Sequence, residues 1–180
     1  EIIDEKCLTF QNKYKQAFLK VEFLALFTWL FFTLFIDFFL VPTTFRTLGT
    51  PAIAGPLAIK FFAFFNILEF SIGMILVITA IVYKNRARYN YHVGIVALLF
   101  IIAAAYLFYI SPQIVKYGSL MESTSIDSNM LKSYIDNHQF FHKLYVKIDS
   151  VKLLLLMALA LVSFRNTKIE LKQKLKKDDL

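Results

Sequence analysis

The chain has 180 residues, of which 58% are hydrophobic and 18% are charged. Soluble domains are about 45–50% apolar, so this composition argues against a water-soluble domain and predicts a membrane protein. The net charge of +7 comes from Lys and Arg clusters that adjoin apolar stretches and lack interleaved aromatic residues. Such clusters favour contact with lipid headgroups over nucleic-acid binding.

Four apolar stretches define the predicted architecture. A helix needs about 20 apolar residues to cross a bilayer. We expect spans at about 18–41, 58–83, 91–110 and 148–165, within one transmembrane domain over 18–166. Segment 1–17 is then a cytoplasmic N-terminal segment, and 167–180 is a basic cytoplasmic tail. The sequence therefore predicts an all-α fold, with four transmembrane helices in an antiparallel bundle.

Prolines mark the predicted ends of the first and third spans. The first helix is expected to end at Val41, because Pro42 cannot continue a helix. The loop TTFRTLGTPAIAGP follows, and its Gly, Pro and Thr content predicts a turn region. The third helix is expected to stop at Ser111 and Pro112. The fourth apolar core is short, so we expect it to continue an amphipathic outer helix over about 129–147.

The distribution of basic residues predicts the orientation. Both tails and the connection KNRARYN fall on one side of the membrane and carry 13 of the 20 Lys and Arg residues. The two longer loops on the other side carry the remaining 7. The positive-inside rule then places both termini in the cytoplasm or its organellar equivalent. The expected location is the bacterial inner membrane, with an organellar inner membrane as the alternative.

Polar side chains recur on one face of three of the predicted helices, at spacings of 3, 4 or 7 residues. Such faces are expected where helices meet, since lipid offers no hydrogen bonds. The faces comprise Glu22, Trp29, Thr33 and Asp37 on the first helix, Asn66, Glu69, Gly73 and Ala80 on the second, and His138, His142, Tyr145, Asp149, Lys152, Ala160 and Ser163 on the fourth.

The depth of these groups predicts a polar intramembrane cluster in the outer half of the bundle. Its expected members are Asp37, Asn66, Glu69, Asp149 and Lys152, around a shared polar cavity with His142 at its mouth. Glu69 is the innermost acid, and ionisable groups at that depth are costly and often functional. Two interpretations stay open: a proton or cation site, or a carboxyl that is protonated or paired with Lys152 and fixes helix packing.

Metal binding is a further hypothesis. His138 and His142 have the i, i+4 spacing that two metal ligands on a helix use, and Asp149 or Glu69 is a candidate third ligand. The alternative is that both are polar-face residues of an interfacial helix. His92 lies at the opposite membrane face and is expected to be interfacial, which argues against bis-histidine haem ligation.

No catalytic constellation is present in the sequence. It contains no Gly-rich phosphate loop, no GxSxG elbow and no Cys pair. We therefore predict no catalytic residues and no enzyme activity, and the sequence identifies no cofactor.

The segment FFLVPTTFRTLGTPAIAGPLAIKFFAFFNILE resembles a family of small four-helix membrane proteins of unknown function, related to the animal transmembrane protein linked to cisplatin tolerance. The matching positions are Pro42, Phe45, Leu48, Ala54, Gly55, Phe61 and Phe65. The family's His before the last span would be His142, whereas Tyr145 and Asp149 stand where the family has Ser and Asn. The resemblance implies a four-helix topology and a link to metal or drug tolerance.

Two functional hypotheses follow. The first is a non-catalytic accessory or scaffold subunit of a larger membrane complex, whose Phe-rich faces contact partner helices, lipid, or a hydrophobic cofactor such as a pigment or quinone tail. The second is a small transporter or metal-handling protein that uses an intramembrane carboxylate, Glu69 with Asp37, and the His142 mouth. The expected partners are the lipid bilayer and other membrane subunits, without nucleic acid.

Overall fold

The computed structural model of the chain describes the backbone of residues 2–82, 89–121 and 127–178. It describes the side chains of residues 17–50, 53–82, 91–121 and 127–165. The predicted KNRARYN connection lies largely outside these residues. Nearly all of the described backbone is helical. The α-helices are α1 Ile2–Phe35, α2 Val41–Leu48, α3 Pro51–Val82, α4 Tyr89–Ala105, α5 Ser111–Met121 and α6 Ser128–Asp178, and two π-helices span Ile36–Leu40 and Tyr106–Ile110.

The prediction that the first helix ends at Val41 is wrong. The first π-helix, Ile36–Leu40, joins α1 to α2 without a break, and the N–H of Val41 donates to the oxygen of Ile36, five residues earlier. In an α-helix the proline ring collides with the carbonyl four residues before it. The wider π turn changes the carbonyl register just before Pro42, and the helix continues to Leu48.

The third helix follows the same pattern, so the predicted stop at Ser111 and Pro112 is also wrong. The second π-helix, Tyr106–Ile110, joins α4 to α5, and the N–H of Ser111 donates to the oxygen of Tyr106. Each proline is the second residue of the α-helix that follows its π-helix. Two π-helices therefore carry two helices past a proline, and helical structure reaches Met121.

The predicted turn region between the first two spans is much shorter than the sequence suggests. Only Gly49 and Thr50 are non-helical there, and α3 already begins at Pro51. Gly49 adopts a left-handed φ of 70°, and its N–H donates to the oxygen of Phe45. A glycine in this conformation is a common helix end, because it lacks the Cβ that would be strained there.

The fourth apolar core continues an earlier helical segment, whose predicted amphipathic character stays a prediction. Helix α6 is one uninterrupted helix of 51 residues. At about 1.5 Å per residue it is roughly 76 Å long, more than twice the thickness of a bilayer core of about 30 Å. It therefore extends beyond any membrane that the other helices cross.

The helices pack around a shared apolar core. Helices α1 and α4 each contact both α3 and α6, and α5 packs along the start of α6. Residues from all four long helices fill the centre, among them Leu26, Ile72, Leu99 and Leu156. A second group centred on Tyr106 and Tyr145 continues this core toward α5. The two groups of buried residues surround the polar side chains described below.

Three helical stretches are long and apolar enough to cross a membrane. They are Ala17–Leu48, Ile53–Val82 and Tyr91–Met121. Large apolar side chains cover their outer surfaces, for example Phe31, Phe64 and Phe108 with 62%, 71% and 67% of their surface exposed. Exposed aromatic side chains in such number suit lipid rather than water. The chain is thus built as a membrane protein.

Candidate functional site

Glu69 lies at the centre of the helix packing, where it is fully buried. Its Oε1 atom accepts a hydrogen bond from the indole N–H of Trp29 at 2.8 Å and contacts Lys152 Nζ at 2.5 Å. Three helices therefore converge on one carboxylate oxygen: α1 through Trp29, α3 through Glu69 and α6 through Lys152. Paired and hydrogen-bonded partners of this kind are what a buried charge requires.

Lys152 connects two carboxyl groups. Its ammonium lies 2.5 Å from Asp149 Oδ1, one turn earlier on α6, as well as 2.5 Å from Glu69. It also lies 5.2 Å from the ring centre of Tyr106 and 5.4 Å from that of Phe65. Aromatic faces attract a cation electrostatically, so the ammonium is held by two carboxyl groups and two rings in place of water.

Asp149 extends the cluster toward the surface. Its side chain is 14% exposed, whereas those of Lys152 and Glu69 are fully buried. Asp149 lines a cavity that Asp37, in the first π-helix, also lines. A chain of Glu69, Lys152 and Asp149 thus runs outward from the core to the cavity wall.

Asn66 occupies a neighbouring hydrogen-bonded group. Its amide donates to Ser111 Oγ at 2.6 Å, and its oxygen accepts from the Tyr145 hydroxyl at 3.4 Å. The Tyr145 ring stacks on Tyr106, with ring centres 4.3 Å apart, and Tyr106 donates to the Tyr145 backbone oxygen. Through Tyr106 this group borders the Lys152 ammonium. Four of the five predicted members, Asn66, Glu69, Asp149 and Lys152, therefore lie in two adjoining networks.

A cavity of about 530 Å³ opens beside this cluster, among the first π-helix, α2, α3, α5 and α6. Asp37, Asp149, Tyr145, His138 and His142 all line it, together with mainly apolar side chains. Glu69, Lys152 and Asn66 are not among the lining residues. The predicted polar cavity is therefore an apolar one with acidic groups on its wall, and the buried ion pair lies behind Asp149.

The two candidate metal ligands are neighbours on α6. The rings of His138 and His142 stack with centres 6.5 Å apart. His138 precedes the predicted fourth span, and its burial, together with the nearby His142, lowers its pKa from the ordinary value. Within the described residues no three His, Cys, Asp or Glu side chains come together in a group that could hold a metal ion. The third ligand expected from the sequence is thus not in place, and metal binding stays a prediction.

Two buried polar atoms in the described part of the chain have no hydrogen-bond partner: Thr33 Oγ1 and Glu69 Oε2. Thr33 lies one turn beyond Trp29 on the buried face of α1. An unpaired carboxylate oxygen in a protein interior is costly. Within the described residues, only Oε1 of Glu69 has partners, since both Trp29 and Lys152 contact that atom.

Sequence reasoning missed two features of the site. The sequence pattern puts Trp29 on the polar face but does not identify it as a hydrogen-bond donor to Glu69. It also does not identify Tyr106 as a contact of the site. His92, expected to be interfacial, lies 2.9 Å from Glu22 Oε1, and both side chains are at least nine-tenths buried. The sequence contains a polar residue on the buried face of the first helix, Glu22, and a single His on another helix, His92. They can be paired only when it is known which helices are neighbours.

The family match covers residues 24–122 and is to a domain of unknown function, DUF4149. These residues make up more than half of the chain. The chain belongs to the DUF4149 family. Its DUF4149 domain contains Trp29, Asp37, Asn66, Glu69 and Tyr106, whereas Asp149 and Lys152 follow it on α6. The match includes no link to the cisplatin-tolerance protein, so that relation stays a prediction.

No curated protein and no solved structure matches the chain. The function of this DUF4149 protein must therefore be argued from its own residues.

Proposed function

We propose that the protein is a small, non-catalytic membrane transporter that binds and passes a proton or a cation through its intramembrane carboxyl groups. One observation carries this proposal: the fully buried Glu69 is joined through Lys152 to Asp149, which lines an open cavity together with Asp37. A purely structural ion pair needs no connection to the surface. A site that exchanges protons or cations does.

The charges of the chain support the same function. Among the described residues of the cluster, two carboxyl groups, Glu69 and Asp149, contact the single ammonium of Lys152, and a third, Asp37, lines the cavity with Asp149. Full ionisation would leave two uncompensated negative charges in a medium of low dielectric constant, which is strongly unfavourable. The cluster is therefore expected to take up protons or a cation, and intramembrane acids are characteristic of such pathways.

We propose a four-span topology with both termini in the cytoplasm. The fourth span is residues 148–165 of α6, whose Leu156, Leu159 and Ala160 lie in the same buried core as the other three membrane-spanning helices. Pairing with Glu69 offsets the cost of inserting Lys152. The excess of Lys and Arg on the side of the termini supports this orientation, in the bacterial inner membrane or an organellar inner membrane.

Proton flux into liposomes tests the proposal. The purified protein is reconstituted with a trapped pH-sensitive dye, and a potassium diffusion potential drives proton entry. We expect Glu69→Gln to abolish flux, and Asp136→Asn, a change at an exposed acid of the same protein, to leave it intact. Flux of Glu69→Gln equal to that of the wild type, or wild-type liposomes no leakier than protein-free ones, would refute a proton pathway through Glu69.

A second function, that of an accessory or scaffold subunit, is favoured by a separate observation. Phe31, Phe35 and Phe39 form a ladder of stacked rings along the outside of the first helix, with centres 6.0 and 5.3 Å apart. These rings are 62%, 38% and 59% exposed. A rigid aromatic ladder fits a partner helix or a hydrophobic cofactor as well as lipid. A detergent extract in which the protein runs alone near its own mass would argue against this role.

A further inference from the structure

The cavity beside the acidic cluster has the size of a small-molecule site. Its volume of about 530 Å³ lies within the range of roughly 300–1,000 Å³ that such sites occupy. It is far larger than a bare ion or a few waters need. A cavity of this size therefore indicates an organic ligand rather than a bare ion.

The walls are suited to an apolar ligand body. Phe38, Phe45 and Phe62 contribute aromatic rings, and Ile114 and Leu153 contribute aliphatic surface. Burial of apolar area against such walls is favourable, and the ring faces also attract a cation. Such walls suit an organic body better than a small hydrated metal ion, and among the described residues no three His, Cys, Asp or Glu side chains form a group that could hold one.

The formal charges on the cavity wall are negative. Asp37 and Asp149 both reach it, its other titratable groups are the imidazoles of His138 and His142 and the Tyr145 hydroxyl, and none of the described residues that line it is Lys or Arg. The one nearby cation, Lys152, lies behind Asp149 and is already shared by two carboxyl groups. An anion would be repelled here, and a neutral acyl chain would cover the carboxyl groups without giving them a partner.

We infer that the cavity binds an amphiphilic organic cation, with its apolar body against Phe38, Phe45 and Phe62 and its positive charge against Asp37 and Asp149. This inference rests on the proposed function and names its substrate class.

The rim of the cavity explains how such a ligand reaches it. Phe38, Phe45 and Val146 line the cavity and are also 69%, 40% and 51% exposed. These residues are apolar and belong to the outer surfaces of α6 and of the first helix and its continuation. Amphiphilic cations concentrate in lipid, so entry from the bilayer between these helices is the direct route.

Binding of tetraphenylphosphonium to the protein in lipid nanodiscs tests this inference. Tetraphenylborate, which has the same shape and the opposite charge, is the matched probe. We expect saturable binding of the cation, weak binding of the anion, and a loss of affinity of about tenfold or more in Asp37→Asn and in Asp149→Asn. Asp136→Asn, at an exposed position of α6, should bind like the wild type.

A second variant keeps the test decisive if loss of an aspartate impairs folding. Ser150 is exposed and lines the cavity, so Ser150→Phe fills the space without entering the buried core. We expect it to abolish cation binding and to leave the helical content unchanged. Equal affinity for both probes, or unchanged cation affinity in Asp37→Asn, Asp149→Asn and Ser150→Phe, would overturn the inference.

The outcome separates this inference from the proposed function. Proton flux that depends on Glu69 without binding of tetraphenylphosphonium would refute the organic-cation site and leave the proton pathway standing. Binding of tetraphenylphosphonium with proton flux that does not depend on Glu69 would refute the pathway and leave the site standing.

Discussion

Trp29 and Lys152 meet at the same oxygen atom of Glu69, with heavy-atom distances of 2.8 Å and 2.5 Å. The indole comes from α1 and the ammonium from α6, and neither side chain is exposed. Glu69 thus fixes the position of two helices relative to α3. Because the Glu69 carboxylate has this double role, a change in its pairing with Trp29 or Lys152 should also change the stability of the fold.

Replacing Trp29 with Phe should therefore destabilise the protein through Glu69. The change removes a hydrogen bond to a charged acceptor, for which we expect a loss of about 1.5–3 kcal/mol, with a further loss from the smaller ring. The free energy of unfolding, measured in mixed micelles by far-ultraviolet circular dichroism, checks this. In a Glu69→Gln background the same change should cost less; an identical cost would mean that the indole N–H does not stabilise Glu69.

Removing the Lys152 ammonium should lower the free energy of unfolding more than removing the Glu69 carboxylate. We expect Lys152→Met to lower the free energy of unfolding by roughly 3–5 kcal/mol, because it leaves Glu69 and Asp149 buried without a countercharge. Combining it with Glu69→Gln should restore part of the loss. Unfolding in mixed micelles measures both variants.

Lys147→Met is the matched control for that experiment. Lys147 is exposed on α6, less than two turns from Lys152, and exposed substitutions of this kind stay within about 0.5 kcal/mol. A loss in Lys152→Met no greater than that in Lys147→Met would contradict the stabilising role of the ion pair.

Gly73 lies where side chains of α1 and α4 approach the backbone of α3 closely. A Cβ there would lie 3.1 Å from Phe100 Cδ2 and 3.4 Å from Trp29 Cη2, whereas a Cβ at Gly94 would meet nothing within 4 Å. We expect Gly73→Ala to destabilise the protein by roughly 1 kcal/mol, since it overpacks the core. Gly94→Ala should be neutral or stabilising, because alanine favours helix. Thermal unfolding in detergent compares the two; the opposite order would show that Phe100 and Trp29 yield without cost.

Helical phase explains what the sequence predicts well. Trp29 and Thr33, Asn66 and Glu69, and Tyr145 and Lys152 are all buried, because a period of 3.6 residues fixes which side chains share a face. The positions of Glu69 and Lys152 along their predicted helices then put them at a similar depth, which suggests that they are partners. Both inferences depend only on the helix itself and on the membrane.

Local rules failed where neighbouring structure overrides them. Pro42 and Pro112 read as helix ends, yet a π-helix precedes each and the helix continues, since a membrane helix cannot leave its backbone groups unpaired in lipid. The pairing of Glu22 with His92 and the apolar walls of the cavity depend on helix order and rotation. Neither can be predicted from the sequence without knowing which helices are in contact.

The two π-helices show how an irregularity in one helix serves the site. The first contains Asp37 and the second contains Tyr106, and both residues border the Asp149–Lys152 pair. π-Helical turns are frequent at functional sites because they rotate side chains out of the α-helical register. The prolines that mislead the sequence-based prediction thus lie beside the residues that form the site.

The proposed fourth span gives a test of topology. Residues 148–165 of α6 carry Asp149, Lys152 and Arg165, so they are less apolar than the other three spans. However, Leu156 and Ala160 are buried in the same core as Leu26 and Leu99, which supports the proposed fourth span. The ion pair with Glu69 reduces the charge that lipid would otherwise meet.

Reporter fusions decide between four spans and three. If α6 crosses the membrane, green fluorescent protein fused after Leu180 fluoresces in the cytoplasm and alkaline phosphatase at that position is inactive. Alkaline phosphatase fused after Asp127, between α5 and α6, should be active. If α6 instead lies on the outer surface, both phosphatase fusions are active. That second result would exclude the four-span topology. It would also exclude the cytoplasmic placement of the basic tail that the positive-inside rule predicts.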